Sequence, residues 1–295
     1  MPAFSLRYIY SACVVVAAGR NNILCDPWFT DGIYGGSWYQ FPHIPNPVER
    51  IGDVDYIFIS HLHPDHYDPS FLLKYFDFYG TKPIIIAKRA IAKNFLQFKI
   101  KNDLGVDPIV DSVIHLDNFT IHLLDSEPAS SLSIDSALLI IDHSSNLALL
   151  NLNDCVFSDS LVSSIKSILS DSFVLRLALL PYSGANGFPH TYLNYSLTSI
   201  ETFANIKSDT NLLRMKQFID HLNPDYFIPF AGKYFLGSSS SLIAMNRYRG
   251  IPDPVSFATS FSNCIVPDDS GYSGFDLPQC SVIGCERDLP YSLSD

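Results

Sequence analysis

Four metal-competent side chains fall within the six residues His61-Leu62-His63-Pro64-Asp65-His66, directly after the apolar run Tyr56-Ile57-Phe58-Ile59. That run is β-branched and aromatic, as a buried strand should be, and alternate residues of a strand share a face, so His61 and His63 are expected to point the same way. Asp65 and His66 stand where the chain leaves the strand. Beyond them, Asp68-Pro69-Ser70 leads into Phe71-Leu72-Leu73-Lys74-Tyr75-Phe76: an N-cap aspartate, proline at the first helical position and an amphipathic continuation. The pattern predicts strand, ligand-bearing turn and helix in succession. Two imidazoles would converge on one ion, with a second pair of ligands beside them.

The 295 residues are 47% hydrophobic with mean hydropathy +0.14, and no stretch of the composition marks a linker. One large core is expected, so residues 1–295 read as a single domain with 238–295 as a C-terminal extension: packed, covering the site or serving as a partner arm. The longest apolar runs, such as Ala12 to Ala18, fall far short of a bilayer span. The first residues lack a basic region followed by a long apolar stretch, so a cytoplasmic protein without a membrane partner is expected. A net charge of −11 weighs against a nucleic-acid partner, because phosphate backbones are held by concentrated positive surface. Six cysteines are scattered, and the neighbours Cys280 and Cys285 lack C-x-x-C spacing, so buried thiols are expected rather than a disulfide or sulfur-bound metal.

Leu6 to Ala18 reads as a first strand, Gly19-Arg20-Asn21-Asn22 as a turn, and Ile23 to Trp28 as the return strand. A glycine- and aromatic-rich loop follows from Phe29 to Pro47. Lys82 to Ala87 is a buried strand and Ala90 to Ile100 a helix. Further strands are expected over Ser112–Leu116, Phe119–Leu124, Ser136–Ile141, Leu147–Leu152, Leu175–Leu180 and Tyr226–Phe230, with a helix over Leu212–Leu222. Two sheets flanked by helices, an αββα sandwich, would bury all of these. Asp154, just past the strand Leu147–Leu152, is the best candidate for a ligand from elsewhere in the fold, whereas the adjoining Cys155 should point away. His115, His122, His143 and His221 join no cluster and are read as structural.

The spacing of His61, His63, Asp65 and His66 resembles the H-x-H-x-D-H signature of the metallo-β-lactamase superfamily. The resemblance implies that the first two histidines bind one metal and the aspartate and third histidine a second, with Asp154 bridging and the aromatic loop lying over the ions. No histidine precedes Ser136 where the family's third one stands, so Glu127 or Asp135 is expected to substitute. After Tyr226–Phe230, Ala231-Gly232-Lys233 stands in place of the last histidine. Lys233 there would replace part of a metal's charge or hold an anionic substrate group, and His190, in a loop after a buried strand, is a candidate for ligation or proton transfer.

Leu150 to Cys155, Ser183 to Pro189 and Pro229 to Phe235 further resemble segments of the metallo-β-lactamase-like part of CMP-N-acetylneuraminate hydroxylases. A group of iron-dependent thioester hydrolases with this fold is also similar. No pair of Cys-x-His and Cys-x-x-His motifs occurs within the sequence, so electron delivery by a Rieske centre is not expected. Imidazole and carboxylate without thiolate suit one or two divalent ions, zinc or iron or manganese. The expected activity is hydrolysis of a small-molecule ester, thioester, amide or phosphoester by metal-activated water, with Asp65 orienting the nucleophile. A non-heme iron oxygenase is the competing reading, and a binding protein with a degenerate site the third.

Overall fold

The computed structural model describes residues 4–88, 93–126, 134–184, 186–192, 194–267 and 273–283. Its strands in chain order are β1 (Phe4–Tyr10), β2 (Cys13–Ala18), β3 (Asn21–Cys25), β4 (Trp38–Tyr39), β5 (Tyr56–Phe58), β6 (Ile84–Ala87), β7 (Ile109–Asp111) and β8 (Val113–Leu116). They continue as β9 (Phe119–Asp125), β10 (Ser136–Asp142), β11 (Leu147–Asn151), β12 (Val174–Pro181), β13 (Tyr226–Phe230), β14 (Phe235–Leu236), β15 (Gly274–Asp276) and β16 (Ser281–Ile283). One sheet runs β16-β15-β1-β2-β3-β5-β6-β7 and a second β13-β12-β11-β10-β9-β8, while β4 and β14 pair on their own.

Val14, Val16 and Phe58 of the first sheet pack with Ile121, Leu138 and Leu179 of the second in one buried cluster. The outer face of the first sheet is covered by Phe71, Leu72 and Tyr75 of the helix Pro69–Tyr79 and by Leu96 and Ile100 of the helix Lys93–Leu104. Ile165 of the helix Asp159–Leu169, and Met215 and Phe218 of the helix Leu197–Leu222, cover the second. The layers are therefore αββα. Sheets covered on both sides explain why β2, β10 and β11 are buried at every residue and read as continuous apolar runs.

That same double burial hid one break. The run Leu6 to Ala18 is two strands, with Ser11 at φ 48° between them, and the hairpin turn after β2 is only Gly19-Arg20, Ala18 pairing directly with Asn21. The helix expected over Leu212–Leu222 starts at Leu197, where the Ser196 side chain caps it by accepting from Ser199 N; its first half has little amphipathic contrast, which is why apolar periodicity did not reveal it. Of the C-terminal stretch, Phe257 enters the core and β15 extends the first sheet through β1, so the described part is packed against the fold. Cys285 lies outside the described residues.

Asp68 joins the helix Pro69–Tyr79 to the aromatic loop. Its buried carboxylate accepts from Phe71 N at 2.9 Å, Phe29 N at 3.0 Å, Thr30 N at 2.7 Å and Thr30 Oγ1 at 2.9 Å. Asp68→Ala removes a helix cap and leaves several buried donors unpaired, so a loss of about 2–4 kcal/mol is expected in urea denaturation.

Candidate metal centre

β5 ends at Phe58, so strand alternation no longer governs the residues at 61 and 63. A turn closed by His66 N and Tyr67 N donating to His63 O, at 3.0 and 2.8 Å, folds His66 back against His61, with ring centroids 4.1 Å apart. The tight group is consequently His61, His66 and Asp154, whose ligand atoms all lie within 4.8 Å of one another. The structure puts His66 in that group where strand alternation pairs His61 with His63.

The other expected residues stand around this trio. His63 Nδ1 is 2.8 Å from His61 Nε2, Asp135 Oδ1 is 3.6 Å from His61 Nε2, and Asp65 Oδ2 is 3.7 Å from His66 Nε2. Asp154 Oδ2 itself is 3.4 Å from His66 Nε2 and 4.0 Å from His61 Nε2. Of the two substitutes for the third histidine, Asp135 reaches the cluster, and Glu127 lies outside the described residues. Asp154 is presented by a turn after β11 in which Asn153, at φ 48°, donates its N–H to Asn151 Oδ1 at 3.0 Å. Cys155 is directed into the core behind the second sheet.

Two arrangements that the sequence reading did not single out, an Asp26–Ser60 pair and Tyr34, position the clustered side chains. Asp26, fully buried at the end of β3, accepts from Ser60 N at 2.8 Å and from Ser60 Oγ at 2.7 Å, and lies 3.0 Å from His66 Nδ1. Ser60 Oγ, with its proton given to Asp26, accepts from His61 Nδ1 at 2.9 Å. With a metal bound, both histidines would keep their proton on Nδ1 and offer the Nε2 lone pair on the side of Asp154. β3 and β5 run parallel with Cys25 opposite Phe58, which brings Asp26 beside Ser60. Tyr34 is the second: its hydroxyl donates to Asp65 Oδ1 at 2.7 Å. The aromatic loop that carries it is packed, since Trp38 lies 4.7 Å from the Tyr34 ring and stacks on Tyr234 at 3.5 Å.

The electrostatics favour a cation. Burial pushes the Asp65 carboxyl up, and the Asp154 charge adds to this while His66 opposes it. Burial alone would lower His66, but Asp154, Asp65 and Asp26 together carry it well above the ordinary imidazole range. The Oδ1 of Asp154 is buried without a hydrogen-bond partner. A buried cluster of carboxylates around two imidazoles, with an orphaned carboxylate oxygen, fits a divalent ion of the zinc, iron or manganese type.

The remaining candidates lie apart from the trio. His190 is buried in a turn with its Nδ1 unpartnered and its ring 6.5 Å from that of Tyr234. Burial, with Lys207 and Arg249 nearby, lowers its pKa to about 4. Lys233 lines a small cleft with Tyr8, Tyr182 and Pro229 that includes none of the clustered ligands. Because unfolded His190 binds a proton near pH 6.5 and the folded one only near 4, stability is expected to fall as pH drops through that window. His190→Gln should flatten the difference between urea midpoints measured at pH 7 and pH 4.5.

No protein-family model matches the sequence. A putative Rieske 2Fe-2S iron-sulfur protein of Mycolicibacterium smegmatis is 28% identical over 225 residues, covering 74% of this chain and 41% of the relative. The cytidine monophosphate-N-acetylneuraminic acid hydroxylase of Danio rerio is 27% identical over 244 residues, covering 78% and 38%. The chain thus spans about two fifths of the length of the curated relatives it matches. Among solved structures, an isothiocyanate hydrolase from Delia radicum gut bacteria superposes with a TM-score of 0.58 at 16% identity, over 92% of this chain and 98% of that one. CmlA, a diiron β-hydroxylase from Streptomyces venezuelae, gives 0.51 at 16% identity, over 86% and 48%.

Proposed function

We propose that this chain, which has the metallo-β-lactamase fold, is a metal-dependent hydrolase of a small-molecule ester, thioester, amide or related electrophile. The observation that carries the reading is the convergence of His61, His66 and Asp154 within 4.8 Å, with Asp65 beside them. When bound there, a divalent ion supplies Lewis acidity and lowers the pKa of water from about 15.7 to near 7. The chain's own residues do the rest. His61 and His66 would hold the ion through Nε2, oriented by Ser60 and Asp26, and Asp154 would supply the carboxylate. Asp65, steadied by the Tyr34 hydroxyl, is placed to take up a proton at Oδ2. A net charge of −11 weighs against polynucleotide substrates.

The carboxylate-rich donor set supports a second reading, an iron-dependent oxygenase, which the hydroxylases among the relatives and the solved structures also favour. Elemental analysis of anaerobically purified protein, followed by assays on p-nitrophenyl acetate, an acyl thioester and benzyl isothiocyanate, separates the two. Hydrolysis restored by zinc in metal-stripped protein is the expected result. Dioxygen uptake with iron, and no hydrolysis with any metal, would overturn it in favour of the oxygenase.

A further inference from the structure

Two buried polar groups that the protein leaves unsatisfied lie near each other, and one of them, Tyr234, connects to the metal centre through Trp38 and Tyr34. His190 is 1% exposed and Tyr234 4%, and neither His190 Nδ1 nor Tyr234 Oη has a hydrogen-bond partner. Most buried polar groups in native interiors are hydrogen-bonded and each exception calls for an explanation, so a pair with ring centroids 6.5 Å apart marks a place where a bound group would complete the bonding. Tyr234 adjoins the reaction site. Its ring stacks on Trp38, which packs on Tyr34, and its hydroxyl senses the charge of Asp65.

The charges around this pair are of one sign. The Arg249 guanidinium carbon is 5.1 Å from the centroid of the Tyr234 ring, and its nitrogens donate only to the backbone carbonyls of Tyr234 and Asn246. Lys207 donates to the carbonyl of Phe188 at 2.9 Å and to Asn186 Oδ1 at 3.1 Å. Among the described residues neither cation has a carboxylate partner, although the chain as a whole carries eleven excess negative charges. Burial and Arg249 bring the Lys207 ammonium down to about 8, and both cations help keep His190 neutral. A positively charged neighbourhood with a phenol donor and an unpaired imidazole complements an oxygen anion.

We propose that His190 and Tyr234, in the field of Lys207 and Arg249, form a binding subsite for an oxyanion of the substrate, a carboxylate or a phosphate. The subsite deepens the proposed function by making the substrate an anionic small molecule, held beside the reacting centre by its charged end; it rests on that reading for its place in catalysis but not for its chemistry.

The test follows the His190 imidazole signal by NMR in the zinc-loaded 295-residue chain labelled at histidine, identified by its loss in His190→Gln. Inorganic phosphate and acetate are titrated separately, which tells the two anion types apart. Saturable movement of the His190 signal with at least one anion is expected. Tyr234→Phe, which keeps the stacking on Trp38, should weaken that response by about ten-fold, as removal of a hydrogen bond to a charged group does. In His61→Ala, which removes a metal ligand, the response should persist. No movement of the signal with either anion, or a response abolished in His61→Ala because the anion goes to the metal, overturns the subsite. Either failure leaves zinc-dependent hydrolysis untouched, so the two proposals fall separately.

Discussion

His61→Ala and Asp154→Ala are each expected to purify folded and with metal affinity lowered by more than a hundred-fold. Loss of a partner outside the coordination shell typically costs 10–100-fold in metal affinity, and a direct ligand costs more. His61 and Asp154 supply two of the three atoms that approach within 4.8 Å, so neither variant retains a three-ligand site. The stability effect separates ligand from structural residue. Metal at a hundred times its Kd stabilises a protein by about 2.7 kcal/mol, which both variants lose. Without metal, Asp154→Ala relieves the repulsion on Asp65 but removes a partner of His66, so the stability change should be smaller than the one caused by losing metal. Thermal unfolding with and without chelator, alongside elemental analysis, reads both quantities. Full metal content in both variants would show that these residues do not hold the ion.

Asp26→Ala is expected to act from behind the ligands. It strips the acceptor from Ser60 N, Ser60 Oγ and His66 Nδ1 at a fully buried position, leaving three donors unpaired. A loss of about 3–5 kcal/mol in urea denaturation follows from breaking a buried charged network on one side. Metal affinity should fall by about 10–100-fold in competition with a chromophoric chelator, since His66 loses the partner that sets its tautomer. Asp26→Asn keeps the shape and one acceptor, so it should fall between parent and Ala. Parental metal affinity in a folded Asp26→Ala protein would show that Asp26 does not orient His66.

The αββα layering was legible because strands buried on both faces leave unbroken apolar runs, and β6, β10, β11 and β12 stand where those runs do. The histidine cluster was legible because its spacing is short and its side chains chemically unambiguous, and the Asp68 cap because Asp-Pro before an amphipathic stretch has a local meaning. What depends on pairing between distant strands was not. Asp26 functions only because β3 lies parallel to β5, and nothing within Cys25-Asp26-Pro27 states that neighbour. The grouping of His66 with His61 follows from a strand ending at Phe58 rather than running on through His63, a boundary that local propensity does not mark. Tyr34 was one aromatic among several in its loop, and only the folded loop brings its hydroxyl to Asp65. Tyr234 was hidden for a similar reason: its importance comes from an unsatisfied hydroxyl, a property of packing.

Anomalous scattering from crystals of the metal-loaded protein, recorded on both sides of the metal's absorption edge, tests the central claim most directly. A difference peak within coordinating distance of His61 Nε2, His66 Nε2 and Asp154, absent in His61→Ala crystals, is the predicted result. Fully loaded protein with its anomalous peak elsewhere, and those three side chains free of metal, would contradict it.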